Sequence, residues 1–371
     1  MAKADPTLPK RISLGWLVCG EMALGALLLP FAVYVAVGVY DAFYGSCILS
    51  AEDRFGCALR QFVIMAFSII PRWRGRIYHC LLDRPPAARA GFVISNRETP
   101  MPLFICTACG TQYPESAQPP AQCLICEEER QYVPPRGQTW TTLEALSKSH
   151  MNGFHEYDTG IIGIGSQPSF AIGQRALLVR TEGGNVLWDC IATLDAATVD
   201  MIKGLGGLKA IAISHPHFYT TMVEWARAFN CPIHLNAADS DWIIRKDSAI
   251  KLWNGDRFKL WDSVTLVRCG GHFPGGTVMH WAGGAGGRGI VCAGDILTVA
   301  TDRKWLSFMR SYPNFIPLSA HEVERIGKAL APFQFEIVYG HYFDRVITGA
   351  KQVLEKSVAR YVAAINGTRG Y

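Results

Sequence analysis

Apolar residues in this chain come in short runs broken by glycine, proline and charged residues, and beyond Pro134-Pro135 the runs alternate between strand-like and helix-like spacing. Leu208–Ile213 reads as a buried strand that empties into His215-Pro216-His217. Arg175–Thr181 and Asn185–Cys190 flank Glu-Gly-Gly and predict a β-hairpin. Asp195–Leu205 predicts a helix stopped by Gly206-Gly207, and Thr221–Phe229 a second helix. Cys231–Leu235, Val264–Cys269, Gly289–Ala293 and Glu336–Tyr339 read as further strands. Ser319-Ala-His-Glu322 predicts a capping box opening a third helix, and an amphipathic helix runs from about Thr348 to Ile365. The pattern is that of an α/β body without internal repeats.

The first hundred residues follow a different pattern. Leu14–Tyr40 is almost wholly apolar, and Met22–Tyr40 is an uncharged run of nineteen residues, enough to cross a bilayer as a helix. A signal peptide has a shorter apolar region and a small-residue cleavage site, so a retained anchor over 14–40 is expected. Glu21 keeps a second reading open, a buried helix of a soluble domain. Lys3, Lys10 and Arg11 place the N-terminus in the cytosol and the body on the far side. Phe62–Ile70, followed by Arg72, Arg74 and Arg76, is short for a span, but paired with the first it makes a hairpin that returns the body to the cytosol. Residues 80–100 read as a linker. Met101 stands directly before the first recognisable module, which suggests a soluble protein complete from that residue, with 1–100 an extension or gene-model artefact. N-terminal sequencing that finds earlier residues in the native protein refutes that expectation. The organisation is then 1–100 extension, 101–135 cysteine module and 136–371 main domain, membrane-anchored if the extension is genuine and cytoplasmic otherwise.

Composition narrows the function classes. The chain has 371 residues, 49% of them hydrophobic and 18% charged, which suits a sizeable core. A net charge of +5 is small for this length and the basic residues are scattered, so no nucleic-acid partner is expected. Most of the twelve cysteines lie scattered, several beside strand-like runs, and no small secreted disulfide framework is present, so a reducing compartment is favoured. Four are different. Cys106-Thr-Ala-Cys109, thirteen intervening residues, then Cys123-Leu-Ile-Cys126 place four thiolates around one tetrahedral ion. Gly110 suits the turn that closes the first knuckle, where backbone N–H groups can point at the sulfurs. The pattern resembles a zinc ribbon, and its first knuckle resembles rubredoxin, whose metal is iron. Glu127, Glu128 and Glu129 follow the second knuckle where rubredoxin has glycine, so structural zinc is favoured and iron is the alternative.

In the body, ends of strand-like runs deliver ligand-type residues in order: His215 with His217, then His272, Asp295 and His341. Glycines flank the last three, which lets backbone approach a metal closely. The order His-x-His, Gly271-His272-Phe-Pro-Gly275, Ala293-Gly294-Asp295 and a late Gly340-His341 resembles the metallo-β-lactamase superfamily over about residues 160–345. The resemblance implies a four-layered αββα sandwich with one or two metals at the sheet ends. It implies a first metal site of His215, His217 and His272, with Asp295 as bridging carboxylate and His341 in a second site.

The family's usual first motif is His-x-His-x-Asp-His, and here its last two positions are Tyr219 and Thr220, which are poor ligands. The second site therefore keeps only Asp295 and His341, and a single zinc at the three histidines is expected. The leading function is a zinc-dependent hydrolase of an ester, thioester, amide or phosphoester in a small-molecule substrate. Asp295 would orient water, and His341 or Tyr219 would contact substrate, Tyr219 as an oxyanion donor. A non-catalytic binding protein of the same fold, and a rubredoxin-linked redox protein, are the two alternatives.

Overall fold

The structure, a computed structural model, describes residues 101–368. The expected anchor at 14–40, the stretch at 62–70 and the linker at 80–100 lie outside the described residues. Among the described residues no helix is long and apolar enough to cross a membrane.

The chain begins with a small antiparallel sheet of β1 (Leu103–Cys106), β2 (Gln112–Glu115) and β3 (Trp140–Thr141), with β1 in the middle. Because β3 pairs with β1, this module takes a strand from beyond Pro134-Pro135.

Seven strands then form the first large sheet: β4 (Met151–Asp158), β5 (Ile161–Gln167), β6 (Arg175–Thr181), β7 (Gly184–Trp188), β8 (Ala210–Ala212), β9 (Ile233–Asn236) and β10 (Ile250–Trp253). They lie in sequence order, antiparallel from β4 to β7 and parallel from β7 to β10. The parallel part needs crossovers, supplied between β7 and β8 by helix α1 (Ala196–Gly204) and between β8 and β9 by α2 (Met222–Phe229). The second sheet holds β11 (Arg257–Trp261), β12 (Val264–Arg268), β13 (Thr277–Trp281) and β14 (Ile290–Gly294). Two short hairpins follow, β15 (Thr298–Val299) with β16 (Leu306–Ser307) and β17 (Met309–Ser311) with β18 (Ile316–Pro317). After helix α3 (Ala320–Leu330), β19 (Ile337–Gly340) and β20 (Val346–Thr348) complete the sheet, and helix α4 (Ala350–Ile365) closes the described chain.

Period-two alternation explains the layering. In β6, Leu177 and Val179 join a core shared with the second sheet, while Ala176 and Leu178 join the core under α2. In β14, Ile290 and Cys292 face the first sheet, and Val291 and Ala293 face α3 and α4. Strands apolar on both faces must be covered on both, and the result is helices, sheet, sheet, helices: an αββα sandwich.

The predicted strands and helices form with end shifts of a few residues. The capping box is half made: Ser319 Oγ accepts the Glu322 N–H at 3.3 Å, while the Glu322 carboxylate pairs with Arg325 instead. The Gly110 N–H donates to the Cys106 carbonyl at 2.8 Å rather than to a sulfur. Pro216–Phe218 is a 3-10 turn, so His215 and His217 converge through a helical turn. Strands β4, β5, β10, β11 and β13 carry no sequence expectation; β4 lies at a sheet edge with mostly open side chains and so shows no apolar period.

Candidate metal centre

All four ligand-bearing loops leave one end of the sandwich. β8 of the first sheet leads to His215 and His217, and β12 of the second leads through Gly270-Gly271 to His272. β14 and β19 are parallel neighbours with Gly294 opposite Gly340, which sets Asp295 and His341 side by side. The Thr277 N–H donates to the Ser214 carbonyl at 2.9 Å, joining the two sheets beside the histidines.

His215, His217, His272 and Asp295 each offer one atom to a common point, all within 4.8 Å of one another. The Asp295 Oδ2 lies 3.4 Å from His215 Nε2, 3.9 Å from His217 Nδ1 and 3.7 Å from His272 Nε2. The last two nitrogens are 3.3 Å apart. Around a tetrahedral ion with bonds of about 2.0–2.2 Å, ligand atoms sit roughly 3.3–3.6 Å apart. The donor set fits a metal ion. His215 Nε2 and Asp295 Oδ1 are also buried without a hydrogen-bond partner.

The protonation states agree with that fit. Burial holds His215 down to about 4 and His272 well below its usual range, so both rings are neutral with a lone pair to give. Burial opposes ionisation of Asp295, yet His341 beside it and the neighbouring His215 and His217 keep its carboxyl well below the ordinary carboxylate range. The far nitrogens fix the rings: His215 Nδ1 meets Ser214 Oγ at 2.9 Å, and His272 Nδ1 meets the Met309 carbonyl at 3.1 Å. His341 Nδ1 stands 2.8 Å from Asp295 Oδ1 without hydrogen-bond geometry, and both atoms lack any other partner.

Cys106, Cys109, Cys123 and Cys126 form a second buried cluster. Their sulfurs approach to 3.7 Å between Cys106 and Cys126 and 3.6 Å between Cys109 and Cys123. A disulfide needs about 2.05 Å, whereas thiolates on a tetrahedral ion sit roughly 3.8 Å apart. Neighbouring thiols, Cys109 for Cys106 and Cys106 for Cys123, hold these two below the usual thiol range by hydrogen bonding. The Gln138 amide donates to Cys106 Sγ at 2.9 Å.

A cleft of about 770 Å³ opens above His217, His272, Asp295 and His341. One wall is the cysteine module, through residues such as Thr107, Arg130, Tyr132 and Arg136; the other carries Tyr312, Tyr342 and Arg345. Of the sequence-predicted site residues, Tyr219 stands apart. It is buried in the core under α2 and lines a small void with Gln112, Trp242 and Arg245, apart from the cleft. Its neighbour Thr220 faces the cysteine module: its carbonyl accepts the Gln112 N–H at 3.1 Å, and its methyl lies against Gly110. The two departures from the resembled motif therefore serve packing and module docking.

Three supporting residues escaped the sequence reading. Gln174 Nε2 donates to the Cys109 carbonyl at 3.1 Å and to the His217 carbonyl at 3.3 Å, tying the cysteine knuckle to the histidine loop. Asp189, pushed up to about 8 by burial, accepts the Ser214 N–H at 2.7 Å. Its signal was available, since Trp188-Asp189 ends a strand just as Gly294-Asp295 does. Arg130 lies 4.1 Å over the ring of Phe273, which in turn packs against His215, His217 and His272. Nothing in the local sequence indicates that contact.

Fold and site together define an αββα sandwich protein with a buried metal-type site of three histidines and one aspartate, and a separate cluster of four cysteines. No family model matches the chain. Solved structures of similar fold include the DIM-1 metallo-β-lactamase, at 15% identity and a TM-score of 0.45 over 57% of this chain and 98% of that one. A metallo-β-lactamase from Cronobacter sakazakii is similar at 17% identity, with a TM-score of 0.38 over 58% of this chain and 93% of that one. In sequence the chain is 46% identical over 268 residues to the uncharacterized protein YmaE of Bacillus subtilis, covering 72% of this chain and 98% of the relative. It belongs to the YmaE family.

Proposed function

We propose that this protein is a metal-dependent hydrolase with one zinc held by His215, His217 and His272 and a structural zinc held by the four cysteines. The observation that carries the reading is the convergence of three imidazoles, two of them held neutral by burial, and an ionised carboxylate at the floor of an open cleft. When bound, such an ion acts as a Lewis acid, making water nucleophilic near neutral pH and polarising the bond to be cleaved. Asp295 Oδ2 faces the three imidazoles, and Oδ1, free of hydrogen bonds, would orient the attacking water and take its proton. His341 beside it shares that proton and delivers it to the leaving group. Tyr219, walled into the core, takes no part. Tyr342, whose ring packs 4.0 Å from His341, lines the cleft and contacts substrate.

The test is metal content by mass spectrometry on the full chain, the Cys106→Ser/Cys109→Ser variant and the His215→Ala/His217→Ala variant, beside hydrolysis of chromogenic esters. Two zincs, one lost in each variant, with turnover blocked by a thiol inhibitor, are expected. A second reading, a non-catalytic binding protein, draws on Tyr219 lying in the core and Thr220 against the cysteine module rather than among the histidines. One metal lost only with the cysteines, and no turnover, selects it. The sulfur spacing suits iron as well as zinc, and colour separates them, since an iron–thiolate site is red.

A further inference from the structure

Three arginines line the cleft above the histidines, and the proposed hydrolysis uses none of them. Arg130 and Arg136 come from the cysteine module, and Arg345 from the turn after His341. Among the described residues lining the cleft, Asp295 is the one carboxylate, and it is engaged with the histidines. Arg130 is 7% exposed, and its Nε and Nη1 have no hydrogen-bond partner. Glu128 Oε1 lies 3.0 Å from that Nη1, and burial lowers the Arg130 pKa. Arg345 Nη1 is likewise buried without a hydrogen bond, 3.2 Å from Asp344 Oδ2. Neither Glu128 nor Asp344 lines the cleft.

Unsatisfied guanidinium N–H groups are costly in a buried place unless something else satisfies them. A planar guanidinium fork matches an oxyanion in shape and charge, and positive groups around a concave, poorly hydrated wall focus their field on an anion. We propose that the cleft binds an oxyanion-bearing small molecule, a phosphoryl or carboxylate compound, whose anionic group is held between Arg130 and Arg136 of the cysteine module and Arg345 opposite. In the hydrolase reading, on which only this clause rests, that molecule is an ester whose scissile bond lies at the histidines. The cysteine module is then the anion-recognition wall of the cleft.

The experiment is calorimetric titration of inorganic pyrophosphate, and separately of malonate, into the metal-loaded full chain. It is repeated on Arg136→Ala, Arg345→Ala and the double variant, chosen because neither residue belongs to the core. Binding of one or both probes is expected, weakened about tenfold per arginine removed and by added salt, with metal content unchanged. The tighter probe tells phosphoryl from carboxylate. No binding to the wild type, or equal binding to the double variant, overturns the proposal. The two readings fail separately. Arginine-dependent binding without ester turnover leaves the anion site standing and removes the hydrolase. Turnover of anionic and neutral esters alike, untouched in the double variant, does the reverse.

Discussion

Gly294 is where a single methyl group should disturb the metal centre most directly. Its φ of +52° is in the left-handed region, and a Cβ there would clash with Ser214 Oγ and stand 2.6 Å from Ser214 Cβ. The left-handed conformation costs an alanine about 1–2 kcal/mol, and forcing Ser214 aside in a packed interior costs about 1–3 kcal/mol more. Gly294→Ala should therefore lose about 2–5 kcal/mol, a large share of the about 5–15 kcal/mol that holds a typical domain together. Ser214 also fixes His215 through the 2.9 Å contact to Nδ1. Losing such a partner lowers metal affinity about 10–100-fold. Urea unfolding reads the first effect, and competition with a chelating dye reads the second. Adding Ser214→Gly should restore the packing part but leave the conformational cost. A loss under about 0.5 kcal/mol with unchanged metal affinity refutes the reasoning, because that is the range of an inconsequential surface change.

Other expectations are simpler to state. Gln174→Ala removes both carbonyl bonds between the cysteine knuckle and the histidine loop, and should cost about 1–3 kcal/mol in urea unfolding. Cys123→Ser should release the cysteine-site metal and raise proteolytic cleavage within 101–141, with the histidine-site metal still bound. Asp295→Asn should fold but lose at least about 100-fold in ester turnover, measured at saturating metal. Asp239 is buried and accepts the Gly275 N–H at 2.7 Å; burial raises its pKa to about 6. Between its unfolded value near 4 and that value the folded state binds more protons than the unfolded one, so stability falls as pH rises. Over about two pH units this amounts to about 3 kcal/mol, and an Asp239→Asn variant should lack that slope in urea midpoints measured from pH 4 to 6.5.

The sequence by itself determined the local pieces. Runs such as Leu208–Ile213 and Val264–Cys269 are apolar enough to require burial as strands, and Ser319 opens its helix wherever that helix packs. The four cysteines and the ordered His215, His217, His272, Asp295 and His341 were legible because metal-type donors at turn-flanked strand ends have few other uses. What the tertiary structure decided was which groups share a space. Tyr219 sits in the motif's ligand position, yet the 3-10 turn after His215 rotates it into the core under α2. Thr220 became a seat for the cysteine module, and Gln174, 65 residues from Cys109, bonds to that residue's carbonyl. The cleft joins a wall from residues 107–139 to a floor from residues 217–341. Such contacts depend on long-range packing of whole layers, and a side chain's neighbours across a sandwich leave no period in the local sequence.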